Sequence, residues 1–566
     1  MKNNASPLFS PYFTWLGHGT FAVLTVLSFV FFRERTVILD AALQSFIILR
    51  DNDFAIQVHR FGAAMTQVFP LVAARLGGSL STILMVYSLS FVWVHWAMFW
   101  LCDRVLKQKL MAFAIVLFNV FMVNDTFYWA QNELIQAISL NFVFWAYLLN
   151  RGNFTAFRWF DYPLLGGLVI TLAFFHPLIV FPFLFMAIYF LTKISDFRFQ
   201  ISKSNTTNEP PIFNYTPLSI SLILTAFLCF LLVYTLKNQL LPNYYDPSAR
   251  ERLFLDKNVL FDFLLNIKNA PSFKDFLAHL WSDFALLPIF LGVLSVFYLL
   301  KKRILTLILV WLSVIAYTLM IVIAYREGGN WFHIESQYLP MSIFVIVPFI
   351  CELLLDFDKK QIFDNPNAAL STSSVYFTQN SYKGAVSPRI ISFGGLLIFL
   401  KKSWLCQLFL RKINSPSKKP LAPLKAARLE AVLFLIGFLL LYRLADIYQT
   451  HDFYTKRVAY IGSILEKTKQ VEGTKFIIEE RDIDKTPLIQ TWGFAYETLY
   501  YSALQSSDSV RSITILVDSV AISKALNTSS IFQGIFTPTP YNQLNPRLFH
   551  QKDTVSFYKL LRGEDK

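Results

Sequence analysis

The sequence predicts a mainly α, polytopic membrane helical bundle of about eleven transmembrane helices with a small α/β domain at its C-terminal end. Three observations carry that expectation. The composition is 55% hydrophobic and only 16% charged, with a mean hydropathy of +0.46. A soluble chain of 566 residues would need far more charge to cover its surface. Apolar runs of membrane-crossing length recur from residue 12 to residue 444, and the chain turns polar beyond 450.

A hydrocarbon layer of roughly 30 Å takes about 20 helical residues to cross. Runs of that order lie at 12–32, 81–102, 110–123, 134–149, 218–236, 284–300, 304–325, 340–355 and 430–444. The run 162–192 is long for one span and short for two, and holds Pro177 and Pro182. Charge resolves it, because short cytoplasmic loops are enriched in Lys and Arg. With the N-terminus inside and a hairpin tip at His176-Pro177, the loops 103–109, 151–161, 193–217 and 301–303 all fall inside, each basic or nearly so. One span there would put Lys301-Lys302-Arg303 outside. The expected topology therefore has a cytoplasmic N-terminus, an outer C-terminus and an uncleaved first span. The half-apolar segment 61–78, with Pro70 and Arg75, reads as a partly embedded or re-entrant helix in the wall of an outer cavity.

Four regions follow: a membrane core with outer loops at 1–355, a basic cytoplasmic loop at 356–428, the last transmembrane helix at 429–448 and a small α/β domain at 449–566. Between 359 and 428 there are twelve Lys and Arg against one acidic residue, Asp364, which accounts for much of the net charge of +14. Such a stretch, with its amphipathic piece at 390–410, suits either an anionic lipid surface, at about 1 kcal/mol per charge, or a mobile linker. Nucleic acid is not an expected partner. The last region shows β-like runs at 475–478, 512–517 and 554–560 and helical periodicity at 454–469 and 497–504. Cys102, Cys229, Cys351 and Cys406 form neither a disulfide framework nor a CxxC pair.

His95 apart, ionisable groups are nearly absent from the runs and cluster in the outer loops. Ion-coupled transporters place such groups near the midplane, so this pattern favours chemistry at the outer interface on a lipid-borne substrate. The first outer loop carries Asp40 at the start of a helical run, either a helix cap or a general base. Asp51-Asn52-Asp53 follows, then His59-Arg60. Asp51 and Asp53 form a candidate site for a divalent cation, Mg or Mn, or simply mark a turn. The second outer loop, 124–133, offers Asp125 and Glu133, either to orient a sugar or metal or as solvated carboxylates in an aromatic belt. His176 either binds a phosphate or caps the hairpin. The loop 325–340 holds Arg326, His333, Glu335 and Tyr338. A guanidinium such as Arg326 matches a phosphate through paired hydrogen bonds. His333 and Glu335 share a face only on an extended strand. A purely structural loop is the competing reading. No Gly-rich phosphate loop, HExxH pair or Gly-x-Ser-x-Gly elbow is present.

With its many spans, the acidic motif Asp40-Ala41-Ala42-Leu43-Gln44 in a first outer loop and a polar C-terminal region, the chain resembles the GT-C superfamily of integral-membrane glycosyltransferases. The resemblance covers roughly residues 1–350, mainly as topology. The family often has two adjacent acidic residues where this chain has Asp40-Ala41, which bears on metal use. The resemblance implies a bacterial inner-membrane enzyme that transfers a sugar from a polyprenyl-phosphate donor to a periplasmic acceptor. Asp40 would be the base, Arg326 with Arg60 or His176 would stabilise the leaving phosphate, and a periplasmic C-terminal domain would shape the acceptor site. A lipid or glycolipid flippase and a non-catalytic envelope scaffold are the alternatives.

Overall fold

The computed structural model describes residues 10–354 and 422–561, apart from 122–123, 153–155, 204–216, 244–250, 254–255, 285, 330, 489, 507–508, 535 and 551–556. The basic segment to residue 421, its amphipathic piece, Cys406 and most of the loop 193–217 lie outside the described residues. The described chain is predominantly helical, with a short parallel sheet near its C-terminal end.

Four helical stretches are long and apolar enough to cross a membrane: Tyr12–Val30, Leu80–Val105, Ile220–Leu240 and Ile304–Ala324. Shorter apolar helices occupy Lys109–Phe121, Asp161–Ala173, Pro177–Lys193, Leu286–Leu300 and Met341–Leu353. The count of full-length spans among the described residues is thus below the expected eleven. The helices follow the predicted runs, but several are cut short by caps and breaks. Asn132 ends one loop by capping the next helix, its Oδ1 accepting from the amides of Leu134 (2.9 Å) and Ile135 (3.3 Å). Pro177 opens a new helical turn at the hairpin tip, so the run 162–192 is indeed two helices, broken at Phe174–His176.

In chain order the helices are α1 (Ser10–Val30), α2 (Phe32–Thr36), α3 (Leu39–Asp51), α4 (Ala64–Arg75), α5 (Leu80–Trp100), α6 (Lys109–Phe121), α7 (Glu133–Arg151), α8 (Asp161–Ala173), α9 (Val180–Lys203) and α10 (Pro217–Leu240). Then come α11 (Lys257–Leu265), α12 (Pro271–His279), α13 (Leu286–Leu300), α14 (Ile304–Ala324), α15 (Trp331–Gln337), α16 (Met341–Pro348) and α17 (Ala422–Thr468). The centre of the bundle is α6, α7 and α16. Every residue of α7 from Leu134 to Leu148 is buried, as is all of α16. The outer helices show the opposite pattern. On α10, Leu224, Leu228, Leu232 and Leu236 recur every four residues and are all exposed. Such an unpartnered apolar stripe suits lipid.

Buried polar clusters mark both ends of the bundle. At one end Glu352 accepts from Tyr298 Oη (2.7 Å) and Tyr189 Oη (2.9 Å) and pairs with Lys193 (2.7 Å) and Arg303. Asp161 there accepts from Arg151 (2.6 Å) and from Tyr147. Glu352 and Asp161 are charges inside or beside predicted spans, and each is answered by its own donors. At the other end the loops converge. Arg35 reaches across it, its Nε donating to Ser88 Oγ (2.9 Å) and its guanidinium lying 3.9 Å from the centre of the Phe127 ring.

The C-terminal region is an α/β unit. Strands β1 (Lys475–Glu479), β2 (Ser512–Leu516) and β5 (Lys559–Leu561) form a parallel sheet in the order β2-β1-β5, and β3 (Ile531–Phe532) pairs antiparallel with β4 (Thr539–Pro540). Helices α18 (Phe494–Gln505) and α19 (Ser519–Leu526) pack on it. This unit does not stand apart from the loops of the membrane core. Val37, Ala42, Leu43, Phe46 and Leu49 share one apolar cluster with Ile477, Tyr496, Leu499, Tyr500 and Phe532. The last predicted span and the predicted helix 454–469 are parts of one continuous helix, α17.

Candidate active site at the converging loops

Asp40 is the second residue of α3. It does not cap that helix, whose N-cap is Ile38 and shows no side-chain cap. The capping alternative for Asp40 therefore falls, and a carboxylate in the first turn still gains from the helix dipole. The Asp40 side chain is accessible to solvent, with protein groups packed closely around it. That enclosure is the largest cause raising its pKa to about 6. Glu133 raises it further, while Arg60 and the side chain of Gln131 oppose the rise.

Glu133 opens α7, and its carboxylate lies 3.6 Å from Arg60 Nη1. Gln44, one helical turn beyond Asp40, donates to Glu133 at 3.4 Å. Gln44 is fixed in turn: its Oε1 accepts from Tyr87 Oη (2.8 Å) and from Gln67 Nε2 (3.1 Å). Gln67 on α4 also exchanges two hydrogen bonds with the backbone of Ala55. A buried amide network from α3, α4 and α5 therefore sets the wall beside Asp40. Sequence reasoning missed Tyr87, Gln67 and Gln131, since uncharged polar residues in apolar surroundings carry no distinctive spacing.

A cationic group adjoins this wall. The backbone before Arg60 is left-handed at Val58 (φ 44°) and His59 (φ 59°), an uncommon conformation for a β-branched residue. The turn then packs against the hairpin tip. Gly62 N donates to Phe174 O (3.2 Å), and a Cβ on Gly62 would stand 2.4 Å from the Phe175 ring. His176 follows in that tip. Its Nδ1 accepts from Leu178 N (3.2 Å), so it caps the turn as one reading held, and this tautomer leaves the hydrogen on Nε2. Lys237 from α10 reaches the same tip, donating to Ala173 O (3.1 Å). Burial lowers the His176 pKa well below its usual value, and Arg60, Lys237 and His333 lower it further. His333 is depressed by burial, then by Arg252 and Arg60, and its Nε2 lies 3.1 Å from Tyr325 Oη. Lys237 and Arg252 were not anticipated. Lys237 had a legible signal, a lone cation at the end of an apolar run.

An acidic group lies beside it. Residues 331–337 are helical, not extended, so His333 and Glu335 point to different sides of α15. Buried Glu335 meets Asp125 and Asp283. Burial and this mutual repulsion raise the pKa values of Asp125 and Glu335. The Tyr454 hydroxyl of α17 opposes the rise at Asp125. Asp283 accepts from Trp331 Nε1 (2.7 Å) and pairs with His279 (3.0 Å). Tyr338 is buried against Phe276, with ring centres 4.9 Å apart.

The remaining candidates lie elsewhere. Arg326 Nη1 donates to Arg252 O (3.1 Å), and its nearest acid is Glu327 at 3.9 Å. His59 lies beside Phe61. Asp51 is held by Arg50 through two hydrogen bonds of 2.6 and 2.7 Å, and Asp53 accepts from Phe54 N (2.8 Å). That arrangement does not fit a shared cation: one carboxylate is already neutralised and the other turned to its own backbone. Among the described residues, no three His, Cys, Asp or Glu side chains gather closely enough to hold a metal ion. Asp40, Arg60 and Glu133 meet; Arg60 acts on both His176 and His333; Asp125 and Glu335 form a separate group.

Compared with known proteins, the chain matches no family model, no curated sequence and no solved structure.

Proposed function

We propose that the chain is a membrane glycosyltransferase of the GT-C type, moving a sugar from a polyprenyl-phosphate donor to an acceptor hydroxyl. The observation that carries this reading is Asp40, an accessible carboxylate with a pKa raised to about 6 that faces Arg60, which in turn acts with Lys237 on His176 at the hairpin tip. A general base works best with a pKa near the operating pH, and a phosphate leaving group needs fixed positive charge.

In the reaction, the acceptor oxygen attacks the anomeric carbon while its proton passes to Asp40. The bond from that carbon to the phosphate oxygen breaks, and the electron pair leaves with the polyprenyl phosphate. Arg60, Lys237 and the Nε2–H of His176 stabilise the added charge. The configuration at the anomeric carbon inverts. Asp51 and Asp53 take no part in these steps.

This reading places the converging loops and the C-terminal unit on the periplasmic face of a bacterial inner membrane. The four long helices, the shorter apolar ones, α7 and α17 would together make about eleven passes. A flippase would need a polar route between the two ends. Here the centre is filled by the buried helices α6, α7 and α16; the buried residues of α6 and nearly all of α16 are apolar, and the buried polar side chains Gln136, Ser139 and Asn141 are confined to α7, which supports the enzyme.

The test uses the purified full-length protein in liposomes with polyprenyl-phosphate donors carrying hexoses or pentoses in turn. Transfer should fall about 10²–10⁴-fold in Asp40→Asn. Unchanged transfer in that variant sinks the assignment of the base.

A further inference from the structure

The residue that precedes Asp40, the first of α3, is held by residues more than 400 positions away in the sequence. Leu39 has φ 48°, a left-handed backbone that costs a residue with a branched side chain. Its amide is one of the donors that a helix start leaves without an internal partner. The Oε1 of Glu497 on α18 accepts it at 2.8 Å. Glu497 is completely buried, and so is Arg457 of α17, which binds the same carboxylate through Nη2 (2.6 Å) and Nε (3.1 Å). Arg457 is itself tied to Gln490 O at 2.8 Å. The approach is close enough to require a glycine. At Gly493 a Cβ would stand 2.9 Å from Glu497 Oε1 and 3.0 Å from Leu39 Cα. The φ of Gly493 is −80°, so space and not backbone freedom is the constraint there.

We propose that Glu497 is a positioning residue: the buried Arg457–Glu497 pair grips the Leu39 amide, fixes its left-handed turn, and so aims the Asp40 side chain towards Glu133, Arg60 and Gln131. The C-terminal unit is then part of the reaction centre's framework. This inference rests on the reading of Asp40 as the base, but its geometry does not depend on which sugar is moved.

The groups facing Asp40 make the position measurable. Glu133 comes from α7, Arg60 from the turn before α4, Gln131 from the loop before α7 and Tyr87 from α5. Only a correctly aimed Asp40 feels them. A carbodiimide reacts with the protonated carboxyl, so labelling of Asp40 against pH, read by mass spectrometry on the full-length protein in micelles, reports its titration. The wild type should show a midpoint near 6.

In the double variant Arg457→Met with Glu497→Leu, no charge is left orphaned but the grip on Leu39 is gone. The midpoint should fall by at least about one pH unit, towards the ordinary carboxylate value, and the Leu39 amide should exchange its hydrogen at least about tenfold faster. Glu497→Gln keeps an oxygen for Leu39 and should retain the wild-type midpoint. Gly493→Ala should act like the double variant, and it decides the matter if the double variant does not fold. A folded variant lacking the grip but keeping the wild-type midpoint and exchange rate overturns the proposal. The readouts need no turnover, so an inactive chain with the expected shifts would refute the transferase reading and leave the positioning role intact.

Discussion

Asp40 and Glu335 are acids whose folded pKa values are raised, which fixes the sign of two pH effects. The proposed transfer needs Asp40 deprotonated, so on that mechanism kcat/KM should climb with pH below about 6 and level off above it, the limb vanishing with the activity in Asp40→Asn. For stability, a raised acid favours the fold below its unfolded pKa, and that contribution is lost as pH rises through the folded value. Glu335, buried beside Asp125 and Asp283, should therefore weaken the fold at pH 8. Glu335→Gln should raise the melting temperature at pH 8, by about 1 °C for each kcal/mol of stability gained in a chain of this size, and much less at pH 4. An unchanged difference across that range would show that the three carboxylates do not repel one another.

At the level of elements, the hairpin tip between α8 and α9 brings the cationic group together. Gly62 seats the Arg60 turn against Phe175, with no room for a methyl group. Gly62→Ala should cost about 1–3 kcal/mol of stability and, by lifting Arg60 away, raise KM for the lipid donor. Lys237→Met should raise that KM several-fold with little change in melting temperature, measured by donor titration in liposomes. The tip itself was legible: Pro177 and the placement of Lys301-Lys302-Arg303 predicted a break at His176. So were the helices along the apolar runs and two of the strands, whose periodicities are local properties. The sidedness of His333 and Glu335 was not, because a seven-residue helix between two loops leaves too few turns for periodicity to register. Nor was the grip of Glu497 on Leu39, which joins residues 458 positions apart.

Taken whole, the molecule joins its two ends at one place. The acidic motif near the start of the chain lies under an apolar cluster supplied largely by residues beyond 475. Removing residues 470–566 should therefore strip the cover from Val37, Ala42, Phe46 and Leu49 and leave buried Arg457 without its partner. Loss of a buried partner alone costs about 3–5 kcal/mol. The truncated chain should be cleaved by protease within 39–60 far faster than the full-length protein, and an intact loop in that experiment would show that the loop folds unaided. The unbroken helix α17 gives this arrangement a mechanical side. From Gly437 to Thr468 it runs about 45 Å, longer than the hydrocarbon layer. It has no hinge to absorb a change of tilt. On the proposed topology, in which α17 crosses the membrane, a bilayer that thins and tips that rod by 5° would swing its far end by about 4 Å and Arg457, about 30 Å along it, by about 3 Å. Lipid thickness would then act on the Asp40 loop as a load on a lever.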